Sequence, residues 1–229
     1  MAAEHTAKAF DTDIDQLRSN VLKMGGLVER QVARAVDGIR LMDLGLVAAV
    51  LQDEEVVNRL HVQTDLMCNQ VIARRQPIAV DLRMVVTAIQ VANDLERTGD
   101  MAKQLAKRTL QIDSLALAPK FYNGVKHMTD LVARQLQASL DAYASRDSAK
   151  AVAVCAHDDE VDAMHTSLFR ELLTYMMEDP RNISQCIHLL FCTKSLERVG
   201  DHATNIAEAA YYLETGRQLS QDETNRQQG

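Results

Sequence analysis

Apolar residues recur at helical spacing along almost the whole chain. Between residues 8 and about 42 they fall at Ile14, Leu17, Val21, Met24, Val28, Val32, Ala35 and Ile39. Those three- and four-residue steps set one stripe of a helix against a core. The same period predicts further helices over about 46–74, 77–112, 120–146, 149–177 and 181–214. A turn is expected near Met42–Gly45, and Ser114–Pro119 reads as a connector. Pro77 and Pro180 suit first helical turns, the second behind Asp179 as N-cap. Gly25 and Gly26 interrupt the first helix at a cost of about 1 kcal/mol each relative to Ala. Close approach of a neighbouring helix would compensate.

The pattern occurs twice. Met24-x-x-Leu27-Val28-x-Arg30-Gln31 answers Met128-x-x-Leu131-Val132-x-Arg134-Gln135 at an offset of 104, and Asp37 answers Asp141. Glu54-x-x-Val57-Asn58 answers Asp158-x-x-Val161-Asp162 at the same offset, and Pro77 answers Pro180 at 103. A slowly drifting offset over three helices implies an internal duplication. The fold class is therefore all-α, two tandem three-helix bundles of antiparallel helices. The repeats are expected over 8–114 and 119–216, with a flexible polar tail at 217–229.

Composition adds little to the fold and more to the setting. Hydrophobic residues make up 47% and aromatic residues 4%, with three Pro and no Trp, which suits long helices and not a β-sandwich. A net charge of −7 argues against nucleic acid and anionic lipid as general partners. The first residues lack the apolar core of a secretion signal, and no uncharged run reaches about 18 residues. A cytoplasmic protein that does not span the membrane is expected. Cys68, Cys155, Cys186 and Cys192 lack CxxC spacing and read as buried free thiols.

The candidate chemistry lies in a stretch near the middle of the third and sixth helices. Asp94-Leu-Glu-Arg-Thr-Gly-Asp100 answers Ser195-Leu-Glu-Arg-Val-Gly-Asp201 at an offset of 101. Each places a Glu four residues before an Asp, Glu96 with Asp100 and Glu197 with Asp201, so two carboxylates share a helix face. Like charges at that spacing oppose the helix by roughly 0.2–0.5 kcal/mol. The compensating positive charge is an Arg, a Lys or a bound cation.

Topology brings further oxygen donors level with them. The midpoint of Glu54/Asn58 lies 21 residues before Pro77, and that of Glu96/Asp100 lies 21 after it. Asp158/Asp162 and Glu197/Asp201 lie 20 and 19 residues either side of Pro180. Antiparallel helices of equal rise then set each foursome at one height. Asn205 extends the second row by another step, and Glu208 stands at its edge. Oxygen-only clusters suit Mg, Mn or Fe ions. The rows Leu82, Val85, Ile89 and Ile183, Ile187, Leu190 lead into the acids, which are expected to continue a core-facing row. Gly99 and Gly200 leave room either for helix crowding or beside a cation.

The paired LERxGD stretches, Arg75-Gln76-Pro77 with Asp81-Leu82-Arg83, and Leu173-Thr-Tyr-Met-Met-Glu-Asp179 resemble the PhoU family over about residues 8–214. The resemblance implies metal clusters held by E(D)xxxD motifs. Here the matching positions are Glu96, Asp100, Glu197, Asp201 and Asn205, joined by Glu54, Asn58, Asp158 and Asp162. Asn58 stands where a carboxylate is expected, so the first cluster should hold a cation less tightly. The resemblance also implies a homodimeric, non-enzymatic negative regulator of phosphate uptake and starvation signalling. Its partners would be the nucleotide-binding subunit of the phosphate ABC transporter and a phosphate-sensing histidine kinase. Two other readings stand beside it: a metal-free helical adaptor, and a di-iron carboxylate enzyme, for which Asp162-x-x-His165 is the nearest match.

Overall fold

A computed structural model describes residues 2–111, 119–220 and 223–224. Its helices are α1 (Ala2–Leu41), α2 (Leu44–Arg75), α3 (Val80–Arg108), α4 (Pro119–Ser145), α5 (Ser148–Ala156), α6 (Asp158–Glu178) and α7 (Ile183–Thr215), with a 3-10 turn at Pro180–Asn182. No strand occurs among the described residues. The connector expected at 114–119 lies outside them up to Pro119, as does the tail at 221–222 and 225–229.

The duplicated turns are built alike. Met42 and Arg146 both take φ of 53°. Asp43 then accepts hydrogen bonds from the Gly45 and Leu46 amides at 2.8 and 3.3 Å, and Asp147 from those of Ala149 and Lys150, both at 3.1 Å. Each Asp satisfies two of the amides that a helix start leaves without a partner.

The first helix starts at Ala2, ahead of the expected residue 8, and two internal features also differ from the sequence reading. The third helix begins at Val80, not at Pro77, because Gln76 turns left-handed (φ 50°) ahead of the proline and Ala79 also takes a positive φ (51°). A residue before proline is disfavoured in the α region, so the reversal spreads over several residues. Pro180 does open a helical turn, under the side chain of Asp179. The expected helix over 149–177 is in two pieces. It breaks at His157 (φ −102°, ψ 8°), whose Nδ1 lies 2.7 Å from the Ala153 carbonyl. The run Asp158-Asp159-Glu160 starts α6, where acidic side chains favour a helix N-terminus.

α1, α2 and α3 pack on one another, as do α4–α7, and the halves join through α3 on α7 and α1 on α4. Gly25 permits the second of these contacts: a Cβ there would stand 2.7 Å from Leu140 Cδ1. The apolar core divides across the helices rather than between the halves. One cluster holds Val28, Val57, Leu95, Leu136, Cys155 and Ala203; the other holds Val32, Val50, Met101, Val132, Val161 and Val199. Between them every long helix carries polar residues or glycine: Gln31, Glu54, Thr98–Gly99, Gln135, Asp158 and Gly200–Asp201. A polar belt thus crosses the molecule at mid-height. All four cysteines are buried free thiols, and burial pushes those of Cys68, Cys155 and Cys192 up to about 12.

The halves are not equally closed. Arg34 of α1 pairs with Asp53 of α2 at 2.6 Å. At the matching offset stand Ala138 and His157, and the second half has a cavity of about 450 Å³ there, lined by Leu131, Arg134, Ala138, Val154, His157 and Val161.

Because each core cluster draws on both halves, the described fold should unfold as one unit. Leu95→Ala, at a fully buried site, should cost about 2–5 kcal/mol and lower the urea midpoint of probes in both halves together. A transition confined to the first half would contradict the shared core.

Candidate metal centre

In the first half, α2 and α3 do bring their acids to one level, and α1 adds an amide. Glu54 is only 2% exposed. Its Oε1 accepts from Asn58 Nδ2 at 3.1 Å and from Lys103 Nζ at 3.4 Å. Lys103 Nζ also lies 3.6 Å from Asp100 Oδ1. Burial raises the Glu54 carboxyl above its ordinary value, Lys103 opposes the rise and Asp100 adds to it. For Lys103 burial acts downward, but Glu54 and Asp100 outweigh it and hold the ammonium up. Glu96 is half-buried and pairs with Arg97, whose Nε is 3.6 Å from Oε2.

α1 supplies Gln31, fully buried, whose Nε2 donates to the Val50 carbonyl at 3.2 Å. Its Oε1 and Glu54 Oε2 have no hydrogen-bond partner, and both face Gly99. A Cβ on Gly99 would meet Glu54 Oε2 at 2.9 Å and Gln31 Oε1 at 3.3 Å. The glycine therefore makes room for polar side chains from two other helices, not for closer helix crossing alone.

In the second half Asp162 of α6 meets Glu197 and Asp201 of α7. Each offers an oxygen within 4.8 Å of the others, and this is the one such acid group among the described residues. Burial raises the Asp162 carboxyl first, then the charges of Asp158 and Glu197. Asp201 is raised by burial, then by Glu197, Asp158 and Asp162, with Lys194 opposing. Lys194 Nζ lies 2.5 Å from Glu197 Oε2, on an exposed side chain. Asp158 is held apart: its Oδ1 accepts from Gln135 Nε2 at 3.0 Å and from Thr204 Oγ1 at 2.8 Å. Gly200 faces Gln135 Oε1 and Val161, as Gly99 faces Gln31 and Glu54.

A family model for the PhoU domain matches residues 21–109 and 125–210, which covers both copies of this arrangement. The chain belongs to the PhoU family. It is 46% identical to the phosphate-specific transport system accessory protein PhoU homolog of Rhizobium meliloti, over 95% of this chain and 92% of that protein. It is 42% identical to the homolog of Caulobacter vibrioides, over 95% of this chain and 94% of that one. The crystal structure of PhoU from Pseudomonas aeruginosa superposes with a TM-score of 0.87 at 40% identity, covering 91% of this chain and all of that one. That of the phosphate transport system regulatory protein PhoU from Streptococcus pneumoniae gives 0.84 at 27% identity, covering 92% and 99%.

The PhoU-type acid pairs lie beside the core row, not within it. Leu82, Ile183 and Ile187 are exposed, while Val85, Ala88, Ala92 and Leu95 are buried. A stripe through residues 85, 88, 92 and 95 runs on to Gly99, so Glu96 and Asp100 fall on its flank. Asn205 turns to the other half: its Nδ2 donates to Asp94 Oδ1 at 3.2 Å, where His202 Nδ1 also lies at 2.9 Å. Lys103, Lys194 and the Asp94–His202 pair carry no role in the sequence reading. Gln31 and Gln135 were visible there only as members of a repeat. Their shared offset, level with the acids, was the available signal.

The two clusters differ in how they suit a cation. The second is a set of hard oxygen donors, in which burial first and acidic neighbours second raise the Asp162 and Asp201 carboxyls, with one exposed lysine at its rim, and it fits Mg, Mn or Fe. In the first, an ammonium already bridges Glu54 and Asp100, and that arrangement does not fit a metal.

The raised Asp162 and Asp201 carboxyls fix the sign of a pH effect. A folded pKa above the unfolded one gives stability that is full below the unfolded value and lost as pH rises through the folded value. In metal-free protein, Asp162→Asn/Asp201→Asn should therefore raise the melting temperature at neutral pH. The advantage over wild type should shrink as pH falls through the raised values toward the ordinary carboxylate range. A constant difference across that range would contradict the assigned burial and repulsion.

Proposed function

We propose that this chain is a non-enzymatic regulator of phosphate uptake and of the phosphate-starvation response, carrying metal on its second acid cluster. The observation that carries the reading is the match, across both repeats, to proteins named as accessories of the phosphate-specific transport system. The chemistry of the belt agrees with it. Carboxylates grouped around a cation brace two helices, and among the described residues no nucleophile, base and orienting group converge near them. Asp162 and His165 share α6, yet the oxygen donors that face them from α7 are Glu197 and Asp201 with no second Glu-x-x-His pair, which suits ion binding better than di-iron oxygen chemistry.

The partners in this reading are the transporter's nucleotide-binding subunit and a phosphate-sensing histidine kinase, reached from the cytoplasm by a homodimer. No described helix is long and apolar enough to cross a membrane. Phe169, Leu173 and Met177 of α6 and Ile183 and Ile187 of α7 are exposed, Met177 at 79%. Apolar side chains grouped on one face mark an interaction surface, and this face lies on the helices that carry the second acid cluster. Metal there would fix the pitch between α6 and α7 and so the shape offered to the transporter.

Loss of the gene should switch on a phosphate-starvation reporter in phosphate-rich medium, and a silent reporter would sink the regulatory reading. Phe169→Asp/Met177→Asp should reduce crosslinking to the transporter's nucleotide-binding subunit at least tenfold without changing the circular dichroism spectrum. Protein purified without chelator should carry Mg, Mn or Fe by elemental analysis and lose it in Glu197→Ala/Asp201→Ala. Equal metal in both proteins would leave the adaptor reading in its place.

A further inference from the structure

The duplication gives each residue of one cluster a counterpart in the other, and two pairs of counterparts differ in kind, the first being Asn58 against Asp162 at the offset of 104. At the offset of 101 that relates Glu96 to Glu197 and Asp100 to Asp201, Lys103 is answered by Thr204. We propose that the protein is metal-responsive in its second half only, because Lys103 serves in the first half as a built-in counter-ion where the second half relies on a bound cation. The inference rests on the metal reading of the second cluster given above.

Three observations carry it. Lys103 Nζ stands between Glu54 Oε1 and Asp100 Oδ1, at 3.4 and 3.6 Å, so it bridges α2 and α3 as a cation would. The Glu54 side chain is 3% exposed and that of Lys103 32%, so the amine reaches into the belt while its stem lies along the surface. A carboxylate that deeply placed needs a partner with positive charge. Asn58 supplies a donor where Asp162 supplies a third carboxylate, which lowers the negative charge of the first cluster and removes a hard ligand.

Thr204 is neutral and spends its hydroxyl on Asp158, so at the position of Lys103 the second half places no charge beside Asp162, Glu197 and Asp201. The lysine that does approach, Lys194, touches Glu197 from the rim and is 56% exposed. An exposed ammonium contributes little and yields to a divalent ion.

The test uses the full-length chain, stripped with chelator, equilibrated with MnCl₂ alone and passed into metal-free buffer before elemental analysis. Wild type should retain Mn; Glu197→Ala/Asp201→Ala should lose it, and Glu96→Ala/Asp100→Ala should keep it. Lys103→Thr should bind roughly twice the Mn of wild type. Equal losses from the two Ala pairs, or no gain in Lys103→Thr, would overturn the asymmetry. A wild type that holds no Mn at all would overturn the metal reading instead. The counter-ion role is then decided in the stripped protein. Lys103→Met should lower its melting temperature by about 2–4 °C, and adding Glu54→Gln should restore most of that loss. If Lys103→Met melts like wild type, or Glu54→Gln fails to rescue it, Lys103 is not the counter-ion.

Discussion

The structure depends on keeping a carboxylate, Glu54, inside a helical core. Moving such a charge out of water costs several kcal/mol in a real protein unless it is paired and hydrogen-bonded. Here the compensation comes from three directions: Asn58 one turn away, Lys103 from α3, and the space that Gly99 leaves open. The consequence spreads across the molecule. Each long helix gives up an apolar position at that level, so the core is two apolar layers with a polar belt between them. Neither layer belongs to one repeat, and the halves share their stability.

Within the belt the two copies have diverged while keeping the same frame. Both retain a glutamine from the first helix of the repeat, a glycine facing it, and a Glu-Asp pair on the last helix. The first copy has an amide, Asn58, where the second has a third acid, Asp162, and it carries an ammonium at Lys103. The second copy is electrostatically strained. The Asp94–His202 contact, joined by Asn205, ties α3 to α7 beside that strained cluster.

Much of this was legible in the chain itself. Helical period, duplication and the equal distances from Pro77 and Pro180 are properties of spacing, and spacing survives folding when helices are long and antiparallel. They located Glu54 opposite Asp100, and Asp162 opposite Glu197 and Asp201. The direction of individual side chains was less accessible. Asn205 lies one further turn along the same face, but a step of four residues rotates about 40° past a full turn, enough to carry it toward α3. The extension of the Leu82–Ile89 row failed for the same reason. The break at His157 was hidden because α5 and α6 keep one apolar period between them. Which lysine supplies the compensating charge is not written in the pattern, because an exposed-looking amine on a flexible stem can reach a buried acid and periodicity does not encode that reach.

Gly99 and Gly200 have a consequence for specificity that their local contacts do not exhaust. Surfaces of Ala, Val and Leu are self-similar from one turn to the next, so antiparallel helices can slip by about 5.4 Å with little loss of apolar contact. Here an α3 slipped by one turn would bring Leu95 or Ala102 against the Glu54 carboxylate and leave the notch facing methyl groups. The glycines act as keyways that admit the polar heads at one axial setting only. That penalty on misaligned bundles is the return for tolerating a buried charge.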